Sequence, residues 1–328
     1  MRRLAVLLLL IAVVPVVFLR DGVHPSRGKR IWQRDLLPGL VASGLPRRLG
    51  PFRIDGVWQI GGDDEAIANY SALGVLSDGN LIALSDRGTV LTFSRPDRAG
   101  SWFAHSAYPL PDGHRLARRH TDGEAMVVLP PDDDLLFAYE GVPDLVRFHR
   151  DFSQPQMIRI PALAEWPDNL GPEAIAHLAD GRFVMLEEGY LRWWDHTRHA
   201  GFLFPGVPHP GEAPLRFVLR LENGWRPTEL APMPDGRLLL LERKFTLRGF
   251  RSALALIDPA AIRPGATVVP RQLARIEDKR IRDNFEGMTV TREADGGLAV
   301  WIVSDSNGMT RLQRTLLIKL RLLVDPGA

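Results

Sequence analysis

GPEAIAHLADGRFVMLEEG, residues 171–189, sets an acid at the head of a short apolar run, turns at Asp180-Gly181, and returns as a second apolar run ending in Glu187 and Glu188. Runs this short, bounded by an Asp-Gly corner, suit strands rather than helix, and the corner sends the chain straight back. The pattern recurs as SALGVLSDGNLIALSDRG from Ser71, DGEAMVVLPPDDDLLFAYEG from Asp122, PTELAPMPDGRLLLLERK from Pro227 and FEGMTVTREADGGLAVWIVSDSN from Phe285. The leading acids Glu124, Glu173, Glu229 and Glu286 stand about 49, 56 and 57 residues apart, with Ser71 about 53 before the first. A period near 50 with two to four strand-like runs per unit belongs to propeller blades and not to helical solenoids. The expected fold is therefore an all-β, five-bladed β-propeller, or six-bladed if a diverged unit lies between Trp193 and Arg226.

Outward from the hairpins, further strands are expected at Thr89–Ser94 and Trp102–Tyr108, Leu145–His149 and Met157–Ile160, Leu191–Trp194 and Leu215–Leu221, and Ala253–Ile257 and Gln272–Ile276. PFRIDGVWQI from Pro51 has no partner before Ser71, and RTLLIKLRLL from Arg314 has none after it. Pairing these two would close the ring with strands from both termini and leave no open edge. The propeller domain is thus read as residues 51–328, preceded by a Pro-, Gly- and Arg-containing linker over 21–50. His196 and His199 fall in an outer loop and are expected at the surface. Trp193 and Trp194 read as packing residues, and the Asp-Gly corners as turn formers.

Arg2 and Arg3 precede an apolar run from Leu4 to Leu19, the build of a signal sequence or N-terminal membrane anchor over residues 1–20. No small-x-small site follows the run, so cleaved and anchored forms are both open, and Pro15 interrupts a span of about 24 Å. Export to the periplasm or beyond, with anchoring to the inner membrane as one form, is the expected location. The absence of cysteine removes disulfides and thiolate chemistry. With 41 basic against 39 acidic residues the net charge is +2, which does not point to a nucleic-acid partner. A monomer is expected.

If the hairpins stand radially around an axis, the heads of the first strands and the ends of the second strands ring one mouth. That mouth would gather Glu124, Glu173, Glu229 and Glu286 with Asp86, Glu140, Glu187 or Glu188, Glu242 and Asp305. Converging carboxylates raise one another's pKa unless a cation neutralises them. Asp86, Glu124, Glu173, Glu229, Glu286 and Asp305 are accordingly the expected ligands of a divalent cation. Oxygen donors favour Ca²⁺, with Mg²⁺ or Mn²⁺ next, and scattered histidines disfavour zinc. Cations stand beside these acids: Arg87, Arg243 and Lys244, Arg226, Arg119 and His120, and Arg311 and Arg314. Carboxylate-held metal alternating with guanidinium suits a phosphate oxyanion, so Arg87, Arg243, Lys244 and Arg314 are expected to bind substrate. Glu124, Glu173, Glu229 and Glu286 are expected to hold metal or activate water. Without G-x-S-x-G, serine hydrolase chemistry has no support.

The D-x-E-A and N-F-E-G starts, the S-D-R-G and E-E-G ends, and SDSNGMTRLQRTLLIKL from Ser304 to Leu320 resemble the phytase-like family described by esterase-like activity of phytase. The resemblance runs from about Phe52 to the C-terminus, and S-D-x-N followed by Q-R-T-L-L is its most specific part. It implies a propeller hydrolase of phosphomonoesters or phosphodiesters whose site includes Asp86, Arg87, Glu124, Glu173, Glu229, Glu286, Asp305, Asn307, Gln313 and Arg314. Ser71 and the Pro227-Thr228 pair depart from the family pattern. Two other functions use the same repeat: a metal-dependent hydrolase of lactones or carboxylic esters, and a non-enzymatic envelope module whose metal stabilises the ring.

Overall fold

The computed structural model describes residues 30–62, 67–110, 122–167, 170–247, 249–307 and 313–323. The apolar run before Arg20, together with Arg119, His120 and Arg311, lies outside them. Among the described residues, no helix is long and apolar enough to cross a membrane.

Five antiparallel sheets form the blades. The chain opens with β1 (Ile31–Asp35), a short helix α1 (Leu37–Ala42), β2 (Arg48–Leu49) and β3 (Phe52–Gly62). Blade 1 is β4 (Tyr70–Val75), β5 (Leu81–Ser85), β6 (Val90–Phe93) and β7 (Ala104–Ala107), and blade 2 is β8 (Gly123–Leu129), β9 (Asp134–Tyr139), β10 (Asp144–Phe148) and β11 (Gln156–Arg159). Blade 3 is β12 (Pro172–His177), β13 (Phe183–Glu187), β14 (Arg198–Phe204) and β15 (Leu215–Arg220). Blade 4 is β16 (Arg226–Pro232), β17 (Leu238–Thr246), β18 (Gly249–Ile257) and β20 (Arg271–Ile276), and the intervening β19 (Thr267–Val268) adds a parallel edge to β15. Blade 5 runs β21 (Asn284–Arg292), β22 (Leu298–Asp305), β23 (Thr315–Leu322), then β3 and β1.

The ring closes as the terminal strands suggested, with β23 antiparallel to β3 from Thr315↔Ile60 to Leu322↔Phe52. Five apolar clusters fill the gaps between successive blades, one per gap. In the gap between blades 1 and 2, for example, Ile82 and Leu84 meet Phe137 and Tyr139. This explains why the second strands are apolar on both faces: β5, β9 and β13 are buried at every position because each blade is sandwiched between two others. Each fully buried Leu or Phe contributes roughly 1.5–3 kcal/mol, so the gaps and not the hairpin turns hold the ring together. At the far end from the mouth the corners do what Asp-Gly predicts. Asp180 accepts from the Arg182 amide at 3.1 Å while Gly181 takes φ 89°.

Several expectations are corrected here. The third strand of blade 3 is β14 rather than Leu191–Trp194, which lies in the loop before it. With β14 and β15 both drawn from residues between Trp193 and Arg226, no sixth blade is hidden there. The apolar character of Leu191–Trp194 suggested burial, yet Trp193 and Trp194 are 83% and 61% exposed. His199, expected at the surface, is fully buried in β14. The stretch read as a linker is folded from Ile31 onward, because the apolar Ile31, Leu36, Leu37 and Leu40 cover the outer side of β3 and its gap.

Candidate functional site

In every blade the pairing between first and second strands slips by one residue at the mouth end. The slip falls between Tyr70 and Ala72, Gly123 and Ala125, Pro172 and Ala174, Pro227 and Glu229, and Phe285 and Gly287. A bulge re-aims the residue it leaves unpaired, and those residues are Ser71, Glu124, Glu173, Thr228 and Glu286. Blade 4 therefore presents Thr228 at the leading position. Two residues earlier stand Asn69, Asp122, Gly171, Arg226 and Asn284, and just past the equivalent second-strand pairs stand Asp86, Glu140, Glu188, Arg243 and Asp305. These three sets converge on the mouth of the ring as an acidic cup whose blade 4 wall is basic.

The most acidic wall is blade 2. Oxygens of Asp122, Glu124 and Glu140 lie within 4.8 Å of one another. Burial, then the neighbouring carboxylates of Glu173, Asp122 and Glu140, push Glu124 well above the usual carboxylate range. Burial and Asp122 bring Glu140 to about 7. Asp86 reaches about 7 through burial and the Asp305 carboxylate, against a hydrogen bond from Asn69 and the charge of Arg87. Glu173 is raised well above normal by burial and Glu188. Carboxylates crowded this closely are a donor set that a hard divalent cation fits, and Asp122, Glu124 and Glu140 together could hold one.

Opposite blade 2, the guanidinium of Arg243 donates to Glu188 at 2.7 Å, to Asn284 Oδ1 at 3.2 Å, and pairs with Glu286. Arg226 meets Glu188 at 3.0 Å and lies over the Tyr190 ring, 4.9 Å from its centre. Although burial favours the neutral acid, these two guanidiniums hold Glu188 below its ordinary pKa. Asn284 ties the wall to blade 5, donating to Glu286 at 2.8 Å and Asp305 at 3.1 Å. The cup is thus bipolar: cation-seeking on blade 2, cationic on blade 4.

Of the residues expected from sequence, the cup gathers Asp86, Glu124, Glu173, Glu286, Asp305 and Arg243. Arg87 lies beside Asp86, half-buried. Glu229 is placed elsewhere. One residue past the bulge, it occupies the position that Ala72, Ala125, Ala174 and Gly287 fill in the other blades. There it is 1% exposed, and its carboxylate accepts from the Leu230 amide at 3.0 Å. Burial raises its pKa well above normal while the amides of Leu230, Leu73 and Met288 oppose the shift, so it reaches β4 and β21 across the axis. Room for it comes partly from Gly287, where a Cβ would come within 2.8 Å of the Leu73 amide. Lys244 turns outward to the Asn223 carbonyl at 2.7 Å, Glu242 faces Glu222 and Arg275, and exposed Arg314 donates to the Arg280 carbonyl at 3.0 Å. Asn307 donates to Gln313 at 2.9 Å. Asp122 and Asn284 were not among the expected site residues; the i, i+2 spacing ahead of Glu124 and Glu286 was the available signal.

No curated protein matches this chain. Among solved structures, the endo-arabinase of Bacteroides thetaiotaomicron VPI-5482 superposes with a TM-score of 0.53 at 9% identity, covering 80% of this chain and 96% of its own. A candidate glycoside hydrolase from Parabacteroides distasonis ATCC 8503 gives a TM-score of 0.50 at 10% identity, covering 85% and 98% respectively. Identities this low establish the propeller and nothing about chemistry. The family description "esterase-like activity of phytase" matches residues 65–308, which include all five first strands and the whole cup. The five-bladed ring is accordingly that of a member of the phytase-like family.

Proposed function

We propose that this protein is an exported hydrolase that cleaves a phosphate ester, monoester or diester, with a divalent cation held by blade 2. The observation that carries the reading is the juxtaposition in one cup of the Asp122–Glu124–Glu140 carboxylates with the Arg226–Arg243 guanidinium pair. When bound, a divalent cation, Ca²⁺ by the chemistry of the donors, would neutralise ester oxygens and lower the pKa of water. Arg243 and Arg226, fixed in orientation by Glu188 and Glu286, face the developing charge from the other side. Asp86, with its pKa raised to about 7 by burial and the Asp305 carboxylate, can take or return a proton, and Glu173, raised by burial and Glu188, stands in the same cup. Glu173, Glu188, Glu286 and Asp305 are buried, so charges meeting there interact more strongly than they would in water.

One observation favours a second substrate class. Both guanidiniums are already paired with carboxylates, so a neutral lactone or carboxylic ester would enter the cup without displacing a partner. Metal content of the purified protein, followed by chelator-controlled turnover of p-nitrophenyl phosphate, bis(p-nitrophenyl) phosphate, phytate and a γ-lactone, decides between them. Cation-dependent hydrolysis of a phosphate substrate is expected. Turnover of the lactone alone would transfer the site to the second class, and no turnover with bound metal would leave an envelope module. A periplasmic or secreted monomer, with an inner-membrane-anchored form, completes the reading; cell fractionation and sedimentation check it.

A further inference from the structure

At the mouth end, blades 1 and 2 turn tightly: β5 passes to β6 through Asp86–Thr89, and β9 to β10 through Glu140–Pro143. Blades 3 and 4 do not. The segment from Glu188 to Thr197 separates β13 from β14, and β17 continues three residues past Arg243, about 10 Å, before turning at Leu247. These adjacent tips carry apolar side chains in water: Trp193 at 83% exposure, Trp194 at 61%, Phe245 at 71% and Leu247 fully exposed. Arg192 lies over the Trp194 ring at 5.3 Å, and exposed Arg198 and Arg220 face each other across β14 and β15; the acids nearby are Asp195 in the tip, Glu222 just past β15, and Glu188, which is buried in the cup. Exposed aromatics interleaved with cations suit the interface of an anionic bilayer, where indole rings rest at headgroup depth and Arg or Lys meets lipid phosphate.

Topology supplies an independent reason. β1 runs antiparallel to β3 with Ile31 opposite Gly62, and Ile60 is opposite Thr315 just past the loop that leaves Asp305 at the cup. Ile31 therefore enters the fold at the mouth end. The apolar run Leu4–Leu19 precedes it by a connector of about eleven residues, which spans at most about 40 Å even fully extended. The sequence most able to enter a bilayer is tethered to the same end that presents the aromatic tips.

We propose that the mouth end docks on an anionic membrane surface through the tips of blades 3 and 4, so that the cup opens toward the lipid headgroups. The proposal does not depend on the chemistry of the cup. Because the chain has no cysteine, single labels report each end separately. Leu247→Cys places an environment-sensitive fluorophore on the blade 4 tip, and Ala179→Cys places one on the exposed corner at the far end of blade 3. The full chain is reconstituted in phosphatidylglycerol–phosphatidylethanolamine vesicles containing headgroup-spin-labelled lipid.

The label at 247 is expected to shift blue and to be quenched, less so in phosphatidylcholine vesicles, while the label at 179 stays as in buffer. Adding Trp193→Ala and Trp194→Ala is expected to remove most of the 247 shift without changing the circular dichroism spectrum. Unchanged spectra at both positions would overturn the proposal, since the domain would then hang free of the surface. A blue shift at 247 already present without vesicles would overturn it too, because the tips would be covered by the chain's own apolar run or by a second copy.

Discussion

Arg243 Nη2 lies 2.7 Å from Glu188 Oε1 while the other end of the same guanidinium pairs with Glu286, so one side chain from blade 4 ties together acids of blades 3 and 5. Removing it takes the counter-charge from buried Glu286 and leaves buried Glu188 with Arg226 alone. Arg243→Ala is expected to destabilise the fold by about 3–5 kcal/mol, measured as the shift in urea midpoint at constant slope. Adding Glu188→Gln and Glu286→Gln to Arg243→Ala is expected to recover much of that loss. No recovery would mean that packing of the arginine stem, not charge, dominates.

The blade 2 carboxylates make a prediction about metal alone. Asp122→Asn and Glu124→Gln each remove one charge from the set within 4.8 Å and are expected to weaken Ca²⁺ binding by about ten-fold or more in calorimetric titration. Glu229→Gln, beneath the cup, is expected to leave that affinity unchanged and to alter the melting temperature. Equal loss of affinity in all three variants would place the cation on the axis instead.

Crowded acids also fix the sign of a pH effect. Asp86 and Glu140 hold their protons to about 7 in the folded chain, whereas in the unfolded chain they release them near 4. Between those values the folded state binds more protons, so raising pH through this window lowers stability. In chelator, the melting temperature is expected to fall from pH 5 to pH 8. Millimolar Ca²⁺ is expected to flatten or reverse that slope, because cation binding favours the deprotonated cup.

At the opposite end, Lys319 Nζ donates to Glu293 at 2.7 Å and pairs with Asp97, and both it and Arg95 lie over the Trp301 ring. Asp97 and Arg95 follow β6 of blade 1, and Glu293 and Lys319 belong to blade 5, so the network latches the seam between blades 5 and 1. Lys319→Met is expected to cost roughly 3 kcal/mol, with Arg95 retaining part of the compensation. Hydrogen exchange that speeds up first in β23 and β4 would locate the loss at that seam; uniform acceleration would not.

The blades were legible in the sequence because gap packing demands apolar faces on both sides of the second strand and because Asp-Gly corners mark each return. Leu191–Trp194 misled for the same reason: apolar content was read as burial, although these residues form an exposed tip. The cup was legible as a set of acids but not in its register. A bulge leaves no mark in composition, so counting from Glu173 reached Glu229 when the structural counterpart is Thr228, one residue earlier. Asp122 and Asn284 escaped notice although a strand sends residues i and i+2 to one side, because only the leading glutamates and the ends of the second strands were counted toward the mouth. His199 was hidden by its polarity; in the interior its ring nitrogens lie 2.8–3.1 Å from the backbone carbonyls of Glu188, Gly189 and Trp225.

The pairing of β3 with β23 also sets an order of events during synthesis. The strand that ends at Gly62 can find β23 only after Leu322 has been made, so a nascent chain keeps two raw sheet edges exposed. A chaperone has its window of access there, and β23 decides when it shuts.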